Sequence, residues 1–236
     1  MKLTVLGNTG PYPKAGGACS GYLLENGDSK VVLDMGNGTL ANLRTICDIE
    51  DITAVICSHL HPDHISDLFV LRYALEMRGM TIPLYAPDSP DKEFDRLSYK
   101  NVFDLTPITE DLKFEIGGMT FSFMEMRHPL KDFAIKAYDG KSTFMYTGDT
   151  AMCQALEEFT KGVDVLLCDS AFLDDVDSAI HLSMEKAIQN ANNAGVRRLI
   201  LTHFSPEISP QRCYEIGNGR FNGRLSKAEI MANFTI

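Results

Sequence analysis

The segment Ser58–Asp67, SHLHPDHISD, constrains this chain more than any other stretch. It holds three of the six histidines, His59, His61 and His64, with Asp63 directly before the last. In extended backbone His59 and His61, two residues apart, project to the same side. Imidazole nitrogen and carboxylate oxygen are the donors that Zn²⁺, Mn²⁺ and iron accept. Four such groups in six residues exceed what one tetrahedral ion takes from one segment, which suggests two ions side by side. The fold must then end a strand here, turn through a loop and begin a helix. It must also bring further ligands from elsewhere.

The flanking patterns supply that scaffold. KLTVLG reads as a first strand, and SGYLLENGDSKVVLDMG as a hairpin about Asn26–Gly27. Ile52–Cys57 is a short apolar, β-branched run of the buried-strand type. A helix is expected from about Ile65 to Met77, with Ile65, Leu68, Phe69, Leu71 and Leu75 inward and Gly79 as its stop. TIPLYAP is a short strand. Residues 88–110 are polar and Pro-containing and read as a crossover. The pattern then restarts with hairpins about Gly117–Gly118 and Asp139–Gly140, a buried strand VDVLLCDS, a helix N-capped by Ser183, and a buried strand RRLILTH. The expectation is one domain over 1–236 in two halves, about 1–110 and 111–236, of α+β class, with two packed sheets and helices outside.

The remaining ligand candidates stand where strands end. His128 follows FSFMEMR, Asp149 follows STFMYTG and His203 follows RRLILT. Each also has a structural reading when taken singly. Asp63 can N-cap the helix, Asp149 after Gly148 can be a turn residue, and an isolated His128 or His203 can simply pack. The cluster and its strand-end partners are not explained that way together.

Composition narrows the setting. The formal charge of −10 argues against a surface for long nucleic acids. The six cysteines, at 19, 47, 57, 153, 168 and 213, form no CxxC pair, as expected of a reducing, cytoplasmic protein. The start MKLTVLGNTG is too short an apolar run for a signal peptide, and no segment approaches the ~20 apolar residues of a transmembrane span.

His59, His61, Asp63 and His64, followed by His128, Asp149 in TGDT and His203 in LTHFS, resemble the metallo-β-lactamase superfamily pattern H-x-H-x-D-H with distant His, Asp and His. The resemblance covers nearly the whole chain in order and implies a four-layer αββα sandwich of two mixed β-sheets. It implies that His59, His61 and His128 hold one divalent ion, that Asp63, His64 and His203 hold a second, and that Asp149 bridges them with a hydroxide as nucleophile. Zinc is the first expectation, with manganese or iron also accepted by such donors. Within the superfamily the chain is similar to the RNase Z-type branch, through VLGNTGPYP, LCDSAF with Asp169, HLS with His181, and LTHFS. It departs from RNase Z in three places. Only 20 residues separate His128 and Asp149, leaving no room for a tRNA-gripping arm. Glu207 and Ile208 stand where that branch has Arg and Tyr, and Cys168 stands at a histidine.

The catalytic candidates are therefore Asp63, His181 as the one histidine outside the ligand set, and Asp169 as its partner. His181 can alternatively be a helix-flanking residue, and Asp169 a strand-end cap. Ser205 is a candidate substrate contact or a turn residue before Pro206. By the same resemblance Asp34 is expected to support the His-rich loop by hydrogen bonds; it can also be a turn residue before Gly36. Two divalent ions against two carboxylates and one hydroxide leave about +1 before outer carboxylates are counted, a sign that favours a small anionic substrate such as a phosphodiester. The expected activity is a phosphodiesterase on a small nucleotide, cyclic phosphate or short RNA. A lactonase or thioesterase on the same site is the alternative, and a homodimer is implied by resemblance alone.

Overall fold

Alternation along Met119–Glu125 shows how the sheets are built. Met119, Phe121 and Phe123 are buried while Thr120 faces water and Ser122 and Met124 are half-buried, the period-2 pattern of a strand with one face on a core. The computed structural model describes residues 1–174 and 176–236. Its strands are β1 (Lys2–Gly7), β2 (Gly21–Asn26), β3 (Ser29–Met35), β4 (Ala54–Ile56), β5 (Ile82–Ala86), β6 (Phe103–Pro107), β7 (Phe114–Ile116), β8 (Met119–Glu125), β9 (Phe133–Tyr138), β10 (Thr143–Tyr146), β11 (Val165–Asp169), β12 (Arg198–Thr202), β13 (Arg224–Lys227) and β14 (Asn233–Thr235). The helices are α1 (Thr39–Leu43), α2 (Pro62–Ile65), α3 (Leu68–Arg78), α4 (Asp91–Leu97), α5 (Gln154–Phe159), α6 (Met184–Ala194) and α7 (Pro210–Gly217).

Two seven-stranded sheets result, ordered β14-β1-β2-β3-β4-β5-β6 and β13-β12-β11-β10-β9-β8-β7. Each is antiparallel on one side and parallel on the other, with the change at β3 in the first and at β10 in the second. One apolar core lies between the sheets and mixes Leu33 and Tyr22 with Phe121, Tyr146 and Ile200. A second packs the first sheet under α2 and α3, and a third packs the second sheet under α5, α6 and α7. This is the expected αββα sandwich of two mixed sheets. The parallel strands β3, β4, β10, β11 and β12 point their carboxyl ends to one edge, where open α/β sheets place ligand sites.

Several elements depart from the sequence reading. The helix expected from Ile65 to Met77 starts three residues later, as α3, with the single turn α2 separated from it by a break. Asp67 sits at the break because its backbone N–H donates to Met35 O and its carboxylate accepts Leu40 N–H at 2.8 Å. Residues 88–110 are more than a crossover. They form α4 and β6, anchored by buried Leu97, Val102 and Phe103. The turn of the first hairpin is one residue later than expected, since Asn26 pairs with Ser29 and Gly27 takes φ +58° at the first loop position. Neither α7 nor β13 had a readable signal, and β14 returns from the end of the chain to β1. Ser183 does cap α6, accepting from Lys186 N–H. All six cysteines are free, and no helix among the described residues is long and apolar enough to cross a membrane.

Phe121 is fully buried between the sheets and stacks with Phe114 at 5.3 Å. Phe121→Ala is expected to cost about 3–5 kcal/mol, read as a lower urea midpoint at unchanged slope.

Candidate metal centre

β4 ends into the His-rich loop, and a buried carboxylate fixes the loop's path. Asp34, at the end of β3, accepts hydrogen bonds from Ser58 N–H (2.7 Å), Ser58 Oγ (2.8 Å) and Tyr146 OH (2.8 Å). Its Oδ2 also lies 2.7 Å from His64 Nδ1. A proton held there turns the His64 Nε2 lone pair towards the cleft. Asp63 lies within α2 and His61 occupies the cap position, so the capping role open to Asp63 in sequence is not the one it has.

Asp132 does for His59 what Asp34 does for His64: its Oδ2 is 2.7 Å from His59 Nδ1. It also accepts Asp149 N–H at 3.0 Å. Sequence reasoning missed it, because an acid before an apolar strand in PLKDFAI has no distinctive spacing. Gly148 is required beside it. Its φ is +62°, and a Cβ there would lie 2.1 Å from Asp132 Oδ1. Ser20, also unforeseen, meets His203 Nδ1 at 2.9 Å. Asp34 and His203 are both non-glycine residues with positive φ, +55° and +53°, a strained conformation that recurs where side chains must be aimed.

These supports bring the predicted donors together. His59, His61, His128 and Asp149 form one group, and Asp63, His64 and His203 another, each with donor atoms within 4.8 Å of one another. His59 Nε2 is 2.9 Å from His61 Nδ1 and 3.7 Å from Asp149 Oδ2. His64 Nε2 and His203 Nε2 are 3.4 and 3.2 Å from the same oxygen. A tetrahedron with bonds of about 2.0–2.1 Å has edges of roughly 3.3–3.4 Å, so these spacings suit a cation. His64 Nε2 and Asp149 Oδ1 are buried and without a hydrogen-bond partner among the described residues. Unmatched buried groups of this kind are costly unless something satisfies them. The residues present therefore fit divalent metal.

Electrostatics agrees with a lone-pair cluster. Burial, reinforced by neighbouring imidazoles, holds His59 and His203 well below the usual histidine range. The same causes bring His128 down to about 3, and burial lowers His61. His64 is the exception. Burial disfavours its charge, but Asp149 and Asp34 outweigh that and hold it well above the usual range. Burial raises Asp149 to about 6.

His181 lies beside this centre and belongs to neither the four-residue nor the three-residue group. It groups with Asp149 and His203 and stacks on His203 at 5.1 Å. Its Nδ1 is 3.0 Å from Asp169 Oδ2. Asp169 is fully buried and also accepts from Thr150 and Ala171 N–H groups. Burial alone would lower His181, but the Asp169 carboxylate overcomes it and lifts the group to about 9. Bound cations would push the other way. Ser205 stands apart: its hydroxyl donates to Glu207 at 2.6 Å and does not line the cleft. That cleft, of about 390 Å³, is lined by His61, Asp63, His128, Asp149, His181 and His203, with Pro11, Pro129 and Ile180 as apolar walls.

The β-lactamase superfamily domain model matches residues 29–204. The chain belongs to the β-lactamase superfamily. It is 33% identical over 211 residues to the probable metallo-hydrolase YhfI of Bacillus subtilis, covering 86% of each chain. The crystal structure of YhfI superposes with a TM-score of 0.94 over 99% of this chain and 98% of that one, at 31% identity. A ribonuclease Z of Streptomyces avermitilis is 24% identical over 285 residues, covering 96% of this chain and 95% of the relative. Together with the His/Asp clusters, membership makes this a metallo-hydrolase of that superfamily.

Two outcomes are expected. Asp34→Ala removes the partner of His64 and Ser58, and metal affinity should fall about 10- to 100-fold, measured by chelator competition. Because His64 is held protonated at pH 7 and a ligand must be neutral, loading should displace about one proton from it. The already neutral His59, His61, His128 and His203 release none. Affinity should therefore rise with pH, and the binding heat should scale with buffer ionisation enthalpy. A heat independent of buffer would contradict this account.

Proposed function

We propose that the chain is a metal-dependent phosphodiesterase acting on a small nucleotide, cyclic phosphate or short RNA. In this reading His59, His61 and His128 hold one divalent ion, Asp63, His64 and His203 hold the other, and Asp149 serves both. Zinc suits the nitrogen-rich donor set, with manganese or iron as alternatives. Such ions, when bound, activate water and offset charge on a phosphoryl oxygen.

The observation that carries the proposal is the His181–Asp169 pair at the mouth of the cleft. A leaving alkoxide needs a proton, and a positioned imidazolium can deliver one. Asp169 holds Nδ1 and stabilises the charged form, which leaves Nε2 to meet the leaving oxygen. Pro11, Pro129 and Ile180 limit water around the reacting group. The ribonuclease Z relative, whose name denotes cleavage of a nucleic-acid backbone, supports the same direction. The charge count supports it less than the sequence suggested. Asp34, Asp132 and Asp169 are all buried around the centre, so the local sum no longer selects an anion by itself.

Hydrolysis of bis(p-nitrophenyl) phosphate by Zn²⁺- or Mn²⁺-loaded protein tests the reading, with Asp149→Ala as the dead control. His181→Ala should lose about 10²- to 10⁴-fold in turnover with metal content unchanged. Loss of metal in that variant would make His181 a ligand. No turnover with two ions bound would shift the activity to lactones or thioesters.

A further inference from the structure

A second cavity, of about 480 Å³, adjoins the metal cleft and shares His61 and Pro62 with it. It lies within the roughly 300–1,000 Å³ of small-ligand pockets. Leu60, Ile65, Phe69, Pro90 and Leu130 make its walls apolar. Three polar groups interrupt them. The Ser66 hydroxyl is buried with no hydrogen-bond partner among the described residues. Arg96 lies over the Phe69 ring at 4.6 Å, and no carboxylate pairs with it among the described residues. Glu93 stands in the first turn of α4.

We infer that this pocket receives the base of a nucleotide whose phosphate occupies the metal cleft; this rests on the phosphodiesterase reading above. An acyl chain would satisfy the apolar walls but leave the buried Ser66 hydroxyl unmatched, which is costly. A bare sugar would match the polar groups and waste the walls. A heteroaromatic base does both. Its face stacks on the Arg96 guanidinium, itself layered on Phe69, and its edge offers an acceptor to Ser66 and donors to Glu93. The shared wall at His61 and Pro62 sets base and phosphate in adjoining compartments. α4, the element hidden in the polar crossover, thereby becomes the specificity element of the site.

Calorimetric titration of Mn²⁺-loaded protein with the four ribonucleoside 5′-monophosphates, ribose 5-phosphate and inorganic phosphate separates the contributions. The nucleotides should bind about 5- to 150-fold more tightly than ribose 5-phosphate, the ratio that base–aromatic stacking corresponds to. Phe69→Ala and Arg96→Ala should each erode most of that preference, with ribose 5-phosphate affinity unchanged. Arg96 is exposed, so its variant keeps the test open should Phe69→Ala fold poorly. Equal affinity for nucleotides and ribose 5-phosphate, or a preference that survives both substitutions, would overturn the base pocket alone. Absence of binding by every phosphate would overturn the phosphodiesterase reading together with it.

Discussion

The carboxylate of Asp34 is the interaction on which the rest of the site depends. It is fully buried, and a buried charge is tolerated only when its oxygens are matched by donors. Here the donors come from three places: the Ser58 backbone and hydroxyl after β4, His64 in α2, and Tyr146 on β10. One residue thus ties the first sheet to the His-rich loop and to the second sheet. Its left-handed backbone lets the side chain leave the strand towards all of them at once.

Around that anchor the chain assembles a cluster that no folded protein would keep without purpose. Four imidazoles are buried or half-buried in neutral form, and two more are held charged by carboxylates. Burial opposes charge on every one of these rings, and neighbouring carboxylates decide the outcome. Asp149 and Asp34 overcome burial at His64, and Asp169 and Asp149 overcome burial and the nearby His64 at His181, whereas at His59 and His128 other imidazoles add to it. His59 is instructive, since Asp132 lies against its Nδ1 and yet burial prevails. Asp132 is itself pushed upward, by burial first and by Asp149, so it stabilises charge on His59 less than a free carboxylate would.

The metal donors were legible because metal chemistry demands particular residue types at short spacing. His59, His61, Asp63 and His64 cannot be dispersed without losing the loop that aims them. The later donors were legible because each stands within three residues of the end of a β run. Asp34 and Asp169 could be found through the family resemblance, which marks the strand ends on which they stand. Asp132 and Ser20 could not, since their only mark is the partner each meets across the fold. Ser205 shows the converse: its position after His203 suggested a substrate contact, and a neighbouring carboxylate, Glu207, takes its hydroxyl instead.

Hydrophobic period and turn chemistry in the chain itself determined most of the strands and hairpins of the two sheets, and residue type and spacing determined a His/Asp set suited to divalent metal. Tertiary structure alone decided the rest. It broke the expected helix at Asp67, because that side chain is drawn to the N–H of Leu40. It gathered α4 and β6 from a stretch with weak local pattern, because burying Leu97, Val102 and Phe103 outweighs polar propensity. It also placed an apolar pocket with unmatched polar groups against the metal cleft. Cavities and second partners of this kind arise where distant segments meet, and no local run of residues carries that information.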